Sequence, residues 1–147
     1  MPLKIKMTYH IVIDTNVIIA AMRSKRGASN LLLQLLGTGD WQADISIPLV
    51  LEYEEVCRRL LPPLGLSHEQ IIDFLDYFCT ICQPHKIFYL WRPYLKDADD
   101  DFLLELAVEA GADFIVTFNK KDFVGVEKFS IQALTPKEFL QRTGDLS

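Results

Sequence analysis

Apolar residues along the chain follow two rhythms, short continuous runs and runs with helical spacing, separated by Gly, Pro and Asp. Tyr9 to Ile13 is a short β-rich run ending at Asp14, and Val17 to Met22 reads as a brief helix. After a basic turn, Arg23 to Gly27, the leucine-rich stretch Ala28 to Leu36 predicts a helix ended by Gly37 and Gly39. Asp44 to Ile47 predicts a second strand. Pro48 suits the first turn of a helix running to about Leu60, which Pro62 and Pro63 break. Ser67 is a candidate N-cap for a helix to about Ile81. His85 to Tyr89 reads as a third strand, followed by an irregular link from Leu90 to Lys96. Asp99 opens a helix through Ala110 that Gly111 closes, and Phe114 to Phe118 has the composition of a buried parallel strand. Ser130 to Leu134 is the last strand, and Pro136 starts a final short helix. Strands separated by helices imply βαβ units and an α/β fold with a parallel sheet covered on both faces.

No internal repeat, low-complexity stretch or linker interrupts the 147 residues, so a single domain over 1–147 is expected. Half the residues are hydrophobic, enough for a sizeable core. No apolar run approaches the roughly 20 residues of a membrane span. Met1 to Thr8 lacks the apolar stretch and small-residue cleavage site of a secretory leader. A cytoplasmic protein without membrane partners is therefore expected.

The net charge of −5 speaks against a dedicated nucleic-acid-binding module, which carries a basic surplus. It leaves room for an enzyme that grips nucleic acid through bound cations, because metal-holding carboxylates are neutralised when loaded. Three cysteines, an odd number, argue against a disulfide framework. Cys79 and Cys82 form a C-x-x-C pair inside an apolar helix with no second pair nearby, so they read as core rather than as a zinc site.

In an open parallel sheet, ligands bind beyond the carboxyl ends of the strands. Asp14 follows the first strand, and Glu52 sits in the second turn of the helix after the second. Asp97, Asp99, Asp100 and Asp101 follow the third, and Asn119 with Asp122 the fourth. Carboxylates gathered at one sheet edge repel, and a divalent cation removes the conflict. Oxygen ligands without Cys or His suit Mg²⁺ or Mn²⁺, ions that support hydrolysis of a phosphodiester.

Each of these residues has a plainer reading. Asp14 could only cap a helix, Glu52 could belong to a solvated face with Glu54 and Glu55, and Asp122 and Asn119 could be turn residues. Most of the Asp97 to Asp101 run suits a helix N-terminus, and spacing does not select one ligand from it. The basic clusters Arg23, Lys25, Arg26 and Lys120, Lys121 fall on the same edge and could meet RNA phosphates; Arg58 and Arg59 form a third cluster. All could equally be solubilising charge. Phe88, Tyr89, Trp91 and Tyr94 could stack on bases or pack in the core.

The stretches IVIDTNVIIAAM (Ile11 to Met22), SIPLVLEYEEV (Ser46 to Val56) and DADDDFLLELAVEAGADFIVTFNKKDF (Asp97 to Phe123) resemble the PIN domain. The closest branch is the VapC-like toxin components of bacterial toxin–antitoxin pairs. The resemblance implies a three-layer α/β/α sandwich around a parallel sheet of about five strands. It also implies an Mg²⁺- or Mn²⁺-dependent ribonuclease that cleaves single-stranded or structured RNA. Carried over by motif, the catalytic and metal-binding acids fall on Asp14, Glu52 and Asp100, with Thr15 and Asn16 in support. At the fourth position many members carry Asp where this chain has Asn119, with Asp122 three residues on, so either could complete the site. Asn supplies a carbonyl oxygen but no charge. An antitoxin protein and a homodimer are implied as partners; the helix Ile71 to Ile81 could serve an interface or the core.

Two other classes of function remain open. One is a catalytically weak scaffold that binds RNA or protein, for which Asn119 and the negative charge speak. The other is a phosphoacceptor receiver domain, which needs an acidic pair at the first strand and a Lys after the last. Asp14 stands alone, and only Lys137 follows Ile131 to Leu134, so the pattern disfavours it.

Overall fold

The strand ahead of Asp14 lies in the middle of the molecule. The computed structural model describes residues 8–87, 95 and 100–147. In it, β1 (Tyr9–Ile13) is flanked by β2 (Trp41–Ile45) and β4 (Phe114–Val116). With β3 (Gln83–Pro84) and β5 (Gln132–Leu134) they form a five-stranded sheet of order β3-β2-β1-β4-β5. All neighbouring pairs are parallel. Ile11, Val12 and Ile13 are buried in succession, as are Phe114, Ile115 and Val116. Successive strand residues point to opposite faces, so such runs require cover on both. The cover comes from α1 (Thr15–Arg23), α2 (Ala28–Gln34), α3 (Ile47–Leu60), α4 (His68–Ile81), α5 (Asp101–Glu109) and α6 (Pro136–Thr143). This is the α/β sandwich that the alternation of elements predicts.

Local chemistry sets the helix ends. Ser46 accepts from the Leu49 N–H at the start of α3, with Pro48 in the first turn. Ser67 with Gln70, and Thr135 with Glu138, form reciprocal capping boxes. Gly111, at φ 64°, makes the left-handed turn out of α5. Phe139 of α6 is fully buried and meets Trp41 and Phe114 edge-on at centroid distances of 5.6 and 5.7 Å. That cluster fastens the last helix to the sheet.

Three strands start elsewhere than the pattern reading places them, and β4 stops at Val116, short of Phe118. β2 begins at Trp41, three residues early, because Trp41 and Ala43 are buried in the ladder beside Tyr9 and Ile11. β3 lies ahead of the expected His85 to Tyr89 run: Gln83 and Pro84 pair with Asp44 and Ile45, and the His85 N–H closes on the Ile45 carbonyl at 2.8 Å. Gln-Pro has little strand preference, but an edge position tolerates proline. β5 starts at Gln132 because Ser130 sits at φ 62°, outside the extended region. The aromatic residues Phe88, Tyr89, Trp91 and Tyr94, and the acids Asp97 and Asp99, lie outside the described residues.

Two buried polar contacts tie the central strands. The Asp44 carboxylate, 1% exposed, meets His10 Nδ1 at 2.9 Å and His85 Nε2 at 2.8 Å, linking β1, β2 and the end of β3. Tyr53 of α3 is fully buried, packs edge-on against Phe78 and donates its hydroxyl to the Ile13 carbonyl. Burial, ahead of nearby acidic groups, raises the Tyr53 pKa well above its usual value, so it stays a donor. Tyr53→Phe keeps the ring but removes that donor, and is expected to cost about 1–3 kcal/mol in urea unfolding. A loss within experimental error would show that the bond contributes nothing.

Candidate active site

The strand order reverses between β1 and β4, and residues leaving the carboxyl ends of these strands diverge there into a crevice. Asp14 is the first residue past β1. Its N–H donates to the Val116 carbonyl at 2.9 Å, so its backbone still belongs to the ladder. One carboxylate oxygen accepts from the Thr15 N–H at 2.8 Å. The other accepts from the Thr117 hydroxyl at 2.8 Å and the Asn16 amide at 3.3 Å. The helix-capping and functional readings of Asp14 are thus compatible, since one side chain starts α1 and also faces the crevice.

Thr117 was not among the residues singled out from sequence. The signal was present in the register: Ile13 pairs with Val116, so the next residues, Asp14 and Thr117, lie side by side. Thr117 is fully buried and also accepts from the Asn119 N–H at 3.0 Å, which turns the chain back toward the crevice.

Glu52 reaches the same place from α3, and its carboxylate accepts from the Thr15 hydroxyl. Asp100 precedes α5 without making a capping hydrogen bond to it. Asp101 takes the structural role instead: it is buried and accepts from the Leu95 N–H at 2.8 Å. Asp122 lies in a 3-10 turn whose first hydrogen bond runs from its N–H to the Asn119 carbonyl at 2.9 Å. Asp14, Glu52, Asp100, Asn119 and Asp122, with Arg23 at the far end of α1, line one cavity of about 750 Å³.

Charge in this cavity is strained. The Asp14 pKa is raised from 3.8 to about 6, first by burial and then by the charges of Glu52 and Asp122; the Thr117 and Thr15 hydrogen bonds only partly offset this. Among the described residues no three Asp, Glu, His or Cys side chains are gathered tightly enough to form a ready-made metal cage. The donor set on the cavity wall is nonetheless all oxygen and mutually repelling, which fits a hard divalent cation.

The basic residues separate. Arg23 lines the cavity and makes no ion pair among the described residues, whereas Lys25 and Arg26 are exposed beyond it. Lys120 does not line it; it pairs with Glu138 at 2.9 Å, and Lys121 is exposed. Arg58 and Arg59 pair with Glu54 and Glu55 one turn back on α3, at 3.1 and 3.3 Å. Cys57, Cys79 and Cys82 are free, and burial raises their pKa values, Cys57 to about 11. They stay thiols at neutral pH, as core packing requires.

Residues 10–121 match the family model of the PIN domain, and the chain belongs to that family, whose members are typically metal-dependent nucleases. Solved structures similar to it include a chain of VapBC2 from Rickettsia felis bound to a DNA fragment from the promoter. It has a TM-score of 0.59 and 17% identity, over 84% of this chain and 98% of that one. Another is a chain of VapBC-1 from nontypeable Haemophilus influenzae, with a TM-score of 0.55 and 16% identity, over 86% of this chain and 98% of that one. At these identities the likeness is one of fold. No curated protein matches the chain. No helix of the described residues is long and apolar enough to cross a membrane.

The Asp14 shift has a consequence for stability. Between pH 3.8 and about 6 the folded protein holds a proton that the unfolded chain releases. Stability of the metal-free protein therefore falls as pH rises through this window and stays lower above it, by roughly 3 kcal/mol. Asp14→Asn should be more stable than the wild type in EDTA at pH 7.5, the gap closing toward pH 4 (about the ordinary carboxylate range). Equal urea midpoints at pH 7.5 would show that the buried charge is not destabilising.

Proposed function

We propose that the protein is an Mg²⁺- or Mn²⁺-dependent endoribonuclease, acting in the cytoplasm as the toxin of a toxin–antitoxin pair. The observation that carries this reading is the convergence of Asp14, Glu52, Asp100 and Asp122 on one cavity at the sheet's reversal point, with the Asp14 charge opposed by its neighbours. Membership of the PIN family supports the chemistry, and the likeness to VapBC chains supports the toxin role and an antitoxin partner. A single domain and a homodimer complete the proposal.

In this reading Asp14, Glu52, Asp100 and Asp122 hold the cation, and Asn119 adds a neutral oxygen. A bound divalent ion supplies a Lewis acid that makes water more acidic and offsets charge developing on the phosphate. Thr117 and Asn16 fix the Asp14 carboxylate, and Thr15 bonds Glu52, so these two acids keep their places without the ion. Arg23, about 13 Å along α1 from Asp14 at 1.5 Å per residue, is placed for a neighbouring phosphate.

Cleavage of single-stranded RNA should require Mn²⁺ or Mg²⁺. Asp14→Asn and Asp100→Asn should each lower the rate at least about a hundredfold, the upper end of what losing a group around metal ligands costs. Cleavage by Asp14→Asn at the wild-type rate would assign the activity to a contaminant. Intact RNA that is still bound, with no Mn²⁺ uptake by calorimetry, would favour a binding scaffold, which the uncharged Asn119 allows.

A further inference from the structure

Among the described residues, Phe118 is the only aromatic side chain lining the acid-bearing cavity. It is 49% exposed; among the described aromatic residues only Tyr77, on α4 and away from the cavity, is as bare. Its ring has no ring partner among the described residues. Leaving such a ring half in water forgoes burial that the core readily provides to Phe114 and Phe123 on either side.

The backbone beneath the ring is fixed by the site itself. The Phe118 N–H donates to the Asn16 side-chain oxygen at 3.3 Å, while the Asn16 amide donates to Asp14. On one side Thr117 is bonded to Asp14, and on the other the Asn119 N–H is bonded to Thr117. The ring therefore stands on a rigid base beside the acids rather than on a free loop. The acids, an exposed aromatic ring and the guanidinium of Arg23 line the same cavity. Together they match a phosphate, its base and a neighbouring phosphate.

We infer that Phe118 is a stacking platform for the base next to the scissile phosphate, and so confines the enzyme to unpaired nucleotides. The inference rests on the ribonuclease reading. In a duplex both faces of a base are covered by its neighbours, and only an unstacked base can lie on the ring. Stacking on an aromatic face is tolerant of base identity, so the platform selects strandedness, not sequence.

The test compares wild type, Phe118→Ala, Phe118→Leu and Phe118→Trp on one RNA, single-stranded and annealed to its complement, with Mn²⁺. Both Ala and Leu should lower kcat/KM on the single strand about fivefold to a hundredfold, chiefly through KM, and Trp should stay near wild type. The Phe118→Trp fluorescence should be quenched on titration with a single-stranded oligonucleotide but not with a duplex. Urea midpoints should match throughout, since the ring is exposed. Wild-type kcat/KM in both Ala and Leu variants would overturn the platform while leaving the nuclease intact. Quenching of the Trp variant by single strands, with no cleavage by any form, would keep the platform and remove the nuclease. No quenching and no cleavage would overturn both.

Discussion

A carboxylate placed at the end of a central strand, where water hardly reaches it, sets the terms for everything around it. Asp14 is 9% exposed, yet its backbone is committed to the β1–β4 ladder and cannot move outward. Three donors reach its oxygens, and each hydrogen bond to a charged group contributes about 1.5–3 kcal/mol. The pKa still rises to about 6, so burial and the charges of Glu52 and Asp122 outweigh the Thr117 and Thr15 donors. A protein selected for stability alone would have an apolar or amide residue there. The unfavourable balance is intelligible if a cation completes the arrangement, because the same cation that relieves the repulsion brings the Lewis acidity that phosphodiester hydrolysis needs.

Much of this frame could be read from the chain. The central strands are continuous apolar runs, the helices have helical spacing, and Ser67, Pro136 and Gly111 mark boundaries where they were expected. Of the acids picked out for following strands, Asp14, Glu52, Asp100 and Asp122 line one cavity, because a parallel sheet sends every strand end to the same side. What escaped sequence reading depends on partners. Gln83 and Pro84 become a strand only because Asp44 and Ile45 offer an edge. Asp100 and Asp101 are equivalent in composition, and a rotation of about 100° along the helix sends one to the cavity and the other to the Leu95 amide. Thr117 looks like any strand-forming threonine until register sets it beside Asp14. Asp44 and its two histidines, far apart in sequence, carry no local signature at all.

The distribution of charge explains how a chain of net charge −5 can still suit a polyanion. Arg58 and Arg59 are neutralised within their own helix, and Lys120 is held by Glu138. Such exposed pairs contribute little to stability, but they neutralise those cations at the surface. On the proposed ribonuclease reading, affinity for nucleic acid would then be concentrated in the cavity, in a few fixed groups rather than a diffuse field. In the proposed reading the four acids repel a polyanion and a bound cation lessens that repulsion, so metal and substrate would bind cooperatively. Thr117, Phe118 and Asn119 all hang from the end of β4, where the Phe118 N–H bonds Asn16 and the Asn119 N–H bonds Thr117. One short segment thereby fixes the charge of Asp14 through Thr117 and the exposed ring through Asn16. A change in its backbone would disturb both together, and the strand exit, more than any single acid, holds this site in register.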